Sequence, residues 1–286
     1  MPEYAKIEIN RYLCRHKKLL FEIMFKRLLL LVALLVCSTT ATQAQIKIGN
    51  RTINTTKALK ALSDVASAVT LSDEDIATMS RESVEWMDAN NPIDDGEYDA
   101  RLKRLTAGIT EVDGLTVNFK VYRVTDINAF ACGDGSIRVF SSLMDIMDDD
   151  ELMAIIGHEI GHVVHHDTKD AMKNAYLASA ARNAAGAAGG TLGRLSDSQL
   201  GDVATAFMDA RFSQKQEFEA DEYGFEFSVK HGFSPYAMSN SLNKLVELSS
   251  GAKASAIQKM FSSHPDSEKR AARMKEKADN YVAAHK

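Results

Sequence analysis

Residues 157 to 166 read GHEIGHVVHH, four histidines and one acid in ten positions. His158 and His162 are four apart, so on a helix both imidazoles project from one face, one turn from each other. Two nitrogens so placed can grip one zinc ion at roughly 2.0–2.1 Å each. Glu159 lies about 100° around the same helix, where it flanks such an ion without binding it and can reach a water. A catalytic zinc usually takes three protein ligands and keeps its fourth position for water. His166 is eight residues, about 12 Å, beyond His158 and cannot close on the same ion. His165 and His166 are therefore expected at the surface near the helix end.

A third ligand must come from elsewhere in the chain. The stretch FSQKQEFEADEYGFEF (212–227) has a helical pattern and offers Glu217 and Asp221, again four apart on one face. A glutamate that binds metal, with an aspartate one turn on that fixes a ligand histidine from behind, suits a zinc site. A di-iron reading of Glu159-Ile160-Gly161-His162 fails, because such bundles need a second Glu-x-x-His and none is present.

HEIGH followed by EFEAD resembles the M48 (HtpX-like) zinc metalloendopeptidases, whose third ligand is the first glutamate of Glu-x-x-x-Asp. That pattern selects Glu217 and leaves Glu219 as a surface acid. The resemblance runs from about residue 55 to 275. NAFACGDGSIRVFSSLMD (128–145) is similar to the strand-turn-strand before the zinc helix, and SSHPDSEKRAARM (262–274) to a C-terminal His-Pro…Arg element. The spacing is closest to the small secreted or lipid-anchored periplasmic branch. The resemblance implies an endopeptidase with one zinc per chain, held by His158, His162 and Glu217. Glu159 would take a proton from the attacking water, and Asp221 would support a ligand. His264 would face the zinc as an oxyanion donor or an extra ligand, or else be a capping or surface histidine. Arg270 would pair with an acid near the site, or be a solvated cation. Protein substrates are implied, unfolded or misfolded envelope proteins above all, with a role in envelope quality control. The competing reading is a chaperone or assembly factor that keeps a zinc site with little proteolysis.

These residues need elements to hold them. Helical spacing is expected at 55–69, at 72–89 behind the cap-like Ser72, and again from residue 97 after NNPIDDG. VNFKVYRV (117–124) and SIRVF (136–140) read as strands, and from Asp148 the chain is almost entirely helical. The fold class is α+β, a mostly helical zincin-like (gluzincin) domain over residues 45–286 with a small sheet beside the zinc helix. SIRVF follows a glycine-rich turn and carries Ile137 and Val139 on one face, so it is expected as an exposed edge strand that binds an extended peptide by strand addition. The glycines of 183–195, between the ligand-bearing stretches, suit a mobile lid.

The first 44 residues differ from the rest. From Met24, two cations precede a ten-residue apolar run, Leu28 to Cys37, and small polar residues end at Ala44. This is the layout of a signal peptide, with a start at Met24 and cleavage after Ala44. The apolar run is shorter than the roughly 20 residues that span a bilayer, and no later run approaches that length. LLVC offers the alternative of lipidation at Cys37, with Val36 a poor match before the cysteine. Export to the periplasm, with or without outer-membrane association, is the expectation. Without residues 1–44 the chain has 27 basic and 36 acidic residues, a net charge near −9. An acidic chain without a basic stripe is a poor partner for nucleic acid or anionic lipid. Cys132 is then the lone cysteine, which excludes a disulfide within the chain and a thiolate zinc cluster.

Overall fold

A computed structural model describes residues 45–48, 51–54, 72–184, 196–249 and 254–286. The leader, the helix expected at 55–69 and residues 185–195 of the glycine-rich segment lie outside them. The chain divides into two units, Met1–Ala58 and Leu59–Lys286. In the first, β1 (Gln45–Ile48) and β2 (Arg51–Asn54) form an antiparallel hairpin with Gln45 opposite Asn54.

The described part of the second unit opens with α1 (Asp73–Asn90). Ser72 caps it: its hydroxyl accepts from the Asp75 N–H while the Asp75 carboxylate accepts from the Ser72 N–H. After the break around Pro92, α2 (Glu97–Leu105) ends before Gly108, whose φ of 82° turns the chain out of the helix. β3 (Glu111–Val112) and β4 (Leu115–Thr116) make a tight hairpin over Asp113 and Gly114. Both turn residues have positive φ, as an Asp-Gly turn of this kind requires.

β5 (Asn118–Tyr122), β6 (Ala129–Ala131) and β7 (Ser136–Phe140) form the main sheet in the order β5-β7-β6. β5 runs parallel to β7 and β6 antiparallel to it. Gly135, at φ 86°, closes the β6–β7 turn, and a Cβ there would sit 2.0 Å from the Thr116 carbonyl oxygen. Only glycine fits.

This topology corrects one expectation. The SIRVF strand is the centre of the sheet, not its edge, and all five of its residues are buried. Ile137 and Val139 belong to a core that includes Leu152, Ile155 and Ile156, so they cannot contact substrate. Alternation in sequence reports that a strand is half or wholly buried. It does not report how many neighbours the strand has, and here β5 pairs from 18 residues upstream on the side expected to be open. The edge beside the helix of the histidines is β6.

Helices complete the unit. A short α3 (Ser141–Met144) leads to α4 (Asp149–Val164), which is capped by Asp148 and Glu151 as reciprocal partners. Then come α5 (Asp167–Ala184), α6 (Asp197–Met208), α7 (Gln214–Lys230), α8 (Ala237–Ser249), α9 (Ala254–Ser263) and α10 (Ser267–Ala284). α4 is the central helix. Leu152, Met153, Ile155 and Ile156 are buried in the core shared with the sheet, and α7 lies along the same helix.

The α4–α7 contact is made by small residues. A Cβ on Gly157 would lie 2.8 Å from the Phe227 ring, one on Gly161 3.1 Å from Ala220 Cα, and one on Gly224 2.9 Å from both the Ala154 carbonyl oxygen and the His158 backbone nitrogen. Glycine in a helix interior costs about 1 kcal/mol relative to alanine. Full burial of each large aliphatic side chain of α4 contributes roughly 1.5–3 kcal/mol, so the helix tolerates its glycines easily. Their effect is to let two backbones meet closely. Among the described residues no helix is long and apolar enough to cross a membrane.

Candidate active site

α4 carries His158, Glu159 and His162 on buried turns, each at most 3% exposed. α7, held close by the glycines, brings Glu217 and Asp221 up to them, and both carboxylates are fully buried. The helix that follows α4 starts abruptly: His165 ends α4 and His166, at φ 65°, reverses the chain into α5. This turn folds Asp167 back so that its Oδ2 lies 2.9 Å from His162 Nδ1. Gln216 Nε2 donates to the other oxygen of Asp167 at 2.8 Å. His158 is tethered in the same way, with Asp221 Oδ1 2.9 Å from its Nδ1.

The C-terminal region closes the cluster. α9 ends in Ser263 and is followed by His264, Pro265 and Asp266, the last with a left-handed φ of 62°. That reversal starts α10 so that Arg270, in its first turn, returns to the site. Arg270 donates from Nε and Nη2 to the two oxygens of Asp221 at 2.8 and 2.7 Å, and its Nη1 forms an ion pair with Glu217. His264 Nδ1 stands 3.0 Å from Glu217 Oε1 and 3.3 Å from His158 Nε2.

The donor set can hold one metal ion. His158 and His162 each have Nδ1 tied to a carboxylate, so in the neutral, metal-binding form the N–H sits on Nδ1 and the Nε2 lone pair points inward. The two Nε2 atoms are 3.1 Å apart, and His162 Nε2 is 3.5 Å from Glu217 Oε1. Tetrahedral ligands at 2.0–2.1 Å from an ion are separated by roughly 3.3–3.4 Å. The separations here bracket that value. Candidate donor atoms of His158, His162, Glu217 and His264 all lie within 4.8 Å of one another.

Electrostatics of the protein alone favour a cation there. Burial raises the Glu217 pKa, but His264, His162 and Arg270 outweigh it and keep the carboxylate ionised far below the usual range. Asp221 is held low against its own burial by Arg270 and His158. Burial holds His158 below its ordinary value, against the hydrogen bond to Asp221. Burial also disfavours a charged His162, yet Asp167, Glu217 and Glu159 outweigh it and lift its pKa to about 9. A metal ion therefore competes with a proton on His162.

Glu159 stands beside these groups as the sequence spacing requires. It is 2% exposed, and its Oε1 has no hydrogen-bond partner and lies 3.7 Å from His264 Nε2. It lines a cavity of about 20 Å³ with Asn128, Phe130, Thr168, Phe207 and His264, beside the β6 edge. The Phe212 ring stacks on His162 at 3.9 Å and 16°, which covers the imidazole.

Glu219 points away, half-buried and paired with Lys215 at 3.1 Å. His165 and His166 are exposed. Two residues of the cluster give no signal in the sequence. Asp167 is five residues from His162, off the helical i+4 spacing, and reaches it only because the chain turns at His166. Phe212 lies one residue before the Ser213 cap of α7 and is a plain apolar side chain.

A helical metallopeptidase architecture, with both ligand helices packed through glycines, is the class that this fold and site define. The chain matches the profile of peptidase family M48 over residues 95–278, and it belongs to that family. It is 38% identical over 248 residues to the metalloprotease LoiP of Escherichia coli K12, covering 86% of this chain and 96% of the relative. Identity to the metalloprotease YcaL of the same organism is 36% over 228 residues, 79% of this chain and 88% of YcaL. The beta-barrel assembly-enhancing protease of Yersinia pestis is 30% identical over 158 residues, 49% of this chain and 31% of that protein. The chain is a metalloendopeptidase of the LoiP-like branch, and proteins are its substrates.

Proposed function

We propose that the protein is a zinc endopeptidase of exported or envelope proteins, in which His158, His162 and Glu217 hold the metal and Glu159 is the general base. The observation that carries this reading is the convergence of two carboxylate-tethered imidazoles and Glu217 on one point, with Glu159 Oε1 beside it and free of any hydrogen bond. Zinc bound there would polarise the scissile carbonyl and acidify a water. Glu159 takes the proton of the attacking water and delivers it to the leaving amine. Asp167 and Asp221 hold the imidazoles in register, and Arg270 fixes Asp221 and Glu217 together. His264 Nδ1 faces Glu217 and His158, so His264 would serve as an extra ligand when a metal is bound in the closed site and would withdraw for a substrate to enter. An extended substrate adds to β6, the sheet edge beside Glu159, with backbone hydrogen bonds supplying affinity.

Envelope quality control is supported by the signal-like leader and by the name of the Yersinia relative. Export places the protein in the periplasm, free after cleavage behind Ala44 or attached to the outer membrane through Cys37. Mass spectrometry of the mature N-terminus separates the two, since Gln45 or a lipidated Cys37 would come first. The test of the catalytic reading is degradation of a denatured protein by the zinc-loaded enzyme, with and without chelator. Binding of the denatured protein without any cleavage would favour the chaperone reading instead.

A further inference from the structure

The cavity beside Glu159 contains buried polar atoms that no role above uses. Thr168, in the first turn of α5, is 2% exposed, and its Oγ1 has no hydrogen-bond partner. Asn128 Oδ1, on a residue 4% exposed, is also unpartnered, and Asn128 lines the same cavity. A buried hydroxyl left without a partner is destabilising, and valine would fill the same space without that cost. Threonine near a helix start usually spends its hydroxyl on a nearby backbone group. Thr168 does not. Its β-branched χ1 is stiff, and its neighbour Asp167 is tied to both His162 and Gln216, so the side chain is held on the cavity wall.

Glu159 determines which part of a substrate would meet that hydroxyl. The base hands its proton to the leaving amine, so the residue after the scissile bond passes along the wall that Glu159 shares with Thr168. We propose that Thr168 is a specificity-determining residue whose hydroxyl hydrogen-bonds the side chain of that residue, favouring a hydroxyl or carboxamide there over an apolar group of the same shape. The inference rests on the reading of Glu159 as the base for its placement along the substrate. One neutral hydrogen bond corresponds to a preference of about 2–10-fold.

The experiment uses two peptides that differ only by threonine or valine after the bond that the wild-type enzyme cleaves. The kcat/KM ratio is measured for wild type, Thr168→Val and Thr168→Ser. Binding of both peptides is measured by fluorescence anisotropy with Glu159→Gln alone and with Glu159→Gln combined with Thr168→Val or Thr168→Ser. Wild type and Thr168→Ser should prefer the threonine peptide by about 2–10-fold, and Thr168→Val should lose that preference in both turnover and binding. The same ratio in wild type and Thr168→Val overturns the proposal, and a lowered Tm with that unchanged ratio assigns the hydroxyl a structural role. Failure of both peptides to bind overturns it as well. Wild-type turnover in Glu159→Gln, with the threonine preference still lost in Thr168→Val, would sink the base assignment and leave the role of Thr168 standing.

Discussion

Among the described residues of the second unit, two charged clusters are finished differently. In the first, Asp88 of α1 accepts from Arg138 Nε and Nη2 at 2.8 and 3.0 Å, from Lys120 at 2.6 Å and from the Tyr122 hydroxyl at 2.7 Å. The remaining Arg138 nitrogen donates to Asn118 and to the Ile137 carbonyl. Asp88 thus accepts two hydrogen bonds on each of its oxygens. In the second, Arg270 and Asp221 make an equally good bidentate pair, but imidazole nitrogens face one another and Glu159 Oε1 has no hydrogen bond. A buried polar network that is satisfied specifies shape, whereas lone pairs left over and aimed at one point specify a ligand. The first cluster ties α1 to the sheet. The second is built for chemistry.

The largest expected effect breaks the second cluster without touching its geometry. Glu159→Gln should lower proteolysis at least about 100-fold, the scale for loss of a general base, while zinc stoichiometry measured by atomic absorption stays near one. Turnover within about tenfold of wild type would remove Glu159 from the role. Glu217→Ala should abolish tight zinc binding, and Glu219→Ala, which removes an acid outside the cluster, should bind zinc as wild type does; competition with a chromophoric chelator reads both.

Asp167→Asn and Asp221→Asn should each weaken zinc affinity by roughly 10–100-fold, as loss of a histidine's carboxylate partner does. Equal affinity in Asp167→Asn would show that the His166 turn serves folding alone. Gly224→Ala tests the packing beneath the site. Its Cβ would strike backbone atoms of α4 at 2.9 Å, so the helices must separate, and a loss of about 1–3 kcal/mol is expected in urea denaturation of the metal-free protein.

The smallest effect belongs to the satisfied cluster. Burial raises the Asp88 pKa, but bonds from Arg138, Lys120 and Tyr122 outweigh it and lower it from 3.8 to about 2. Because the folded value lies below the unfolded one, this stabilisation is complete above pH 3.8 and is lost as pH falls through 2. The stability gap between wild type and Asp88→Asn should therefore shrink by about 1–2 kcal/mol between roughly pH 5 and pH 2, after a discount for partial exposure. A gap constant over that range would mean that the pair has no net coupling.

Local spacing determined a good deal by itself. Helical periodicity set His158 and His162 on one face with Glu159 beside them, and Glu217 with Asp221 on another, because a 3.6-residue repeat leaves little choice within one turn. Caps were equally local: Ser72, Asp148 and Ser213 each begin a helix through atoms three residues away. β5 and β7 were legible too, since alternation needs only the chain itself, whereas the two-residue β3 and β4 are too short to show it. Tertiary structure alone decided which strand is central, because pairing is a property of two distant segments and β5 claimed the free side of β7. It also decided that Asp167 serves His162, through a left-handed residue that breaks the repeat. His264 and Arg270 likewise reach the site from a segment that begins 47 residues after Glu217. Those contacts depend on how closely two backbones approach, and the glycines that permit the approach reveal their purpose only when a second helix is lying against them.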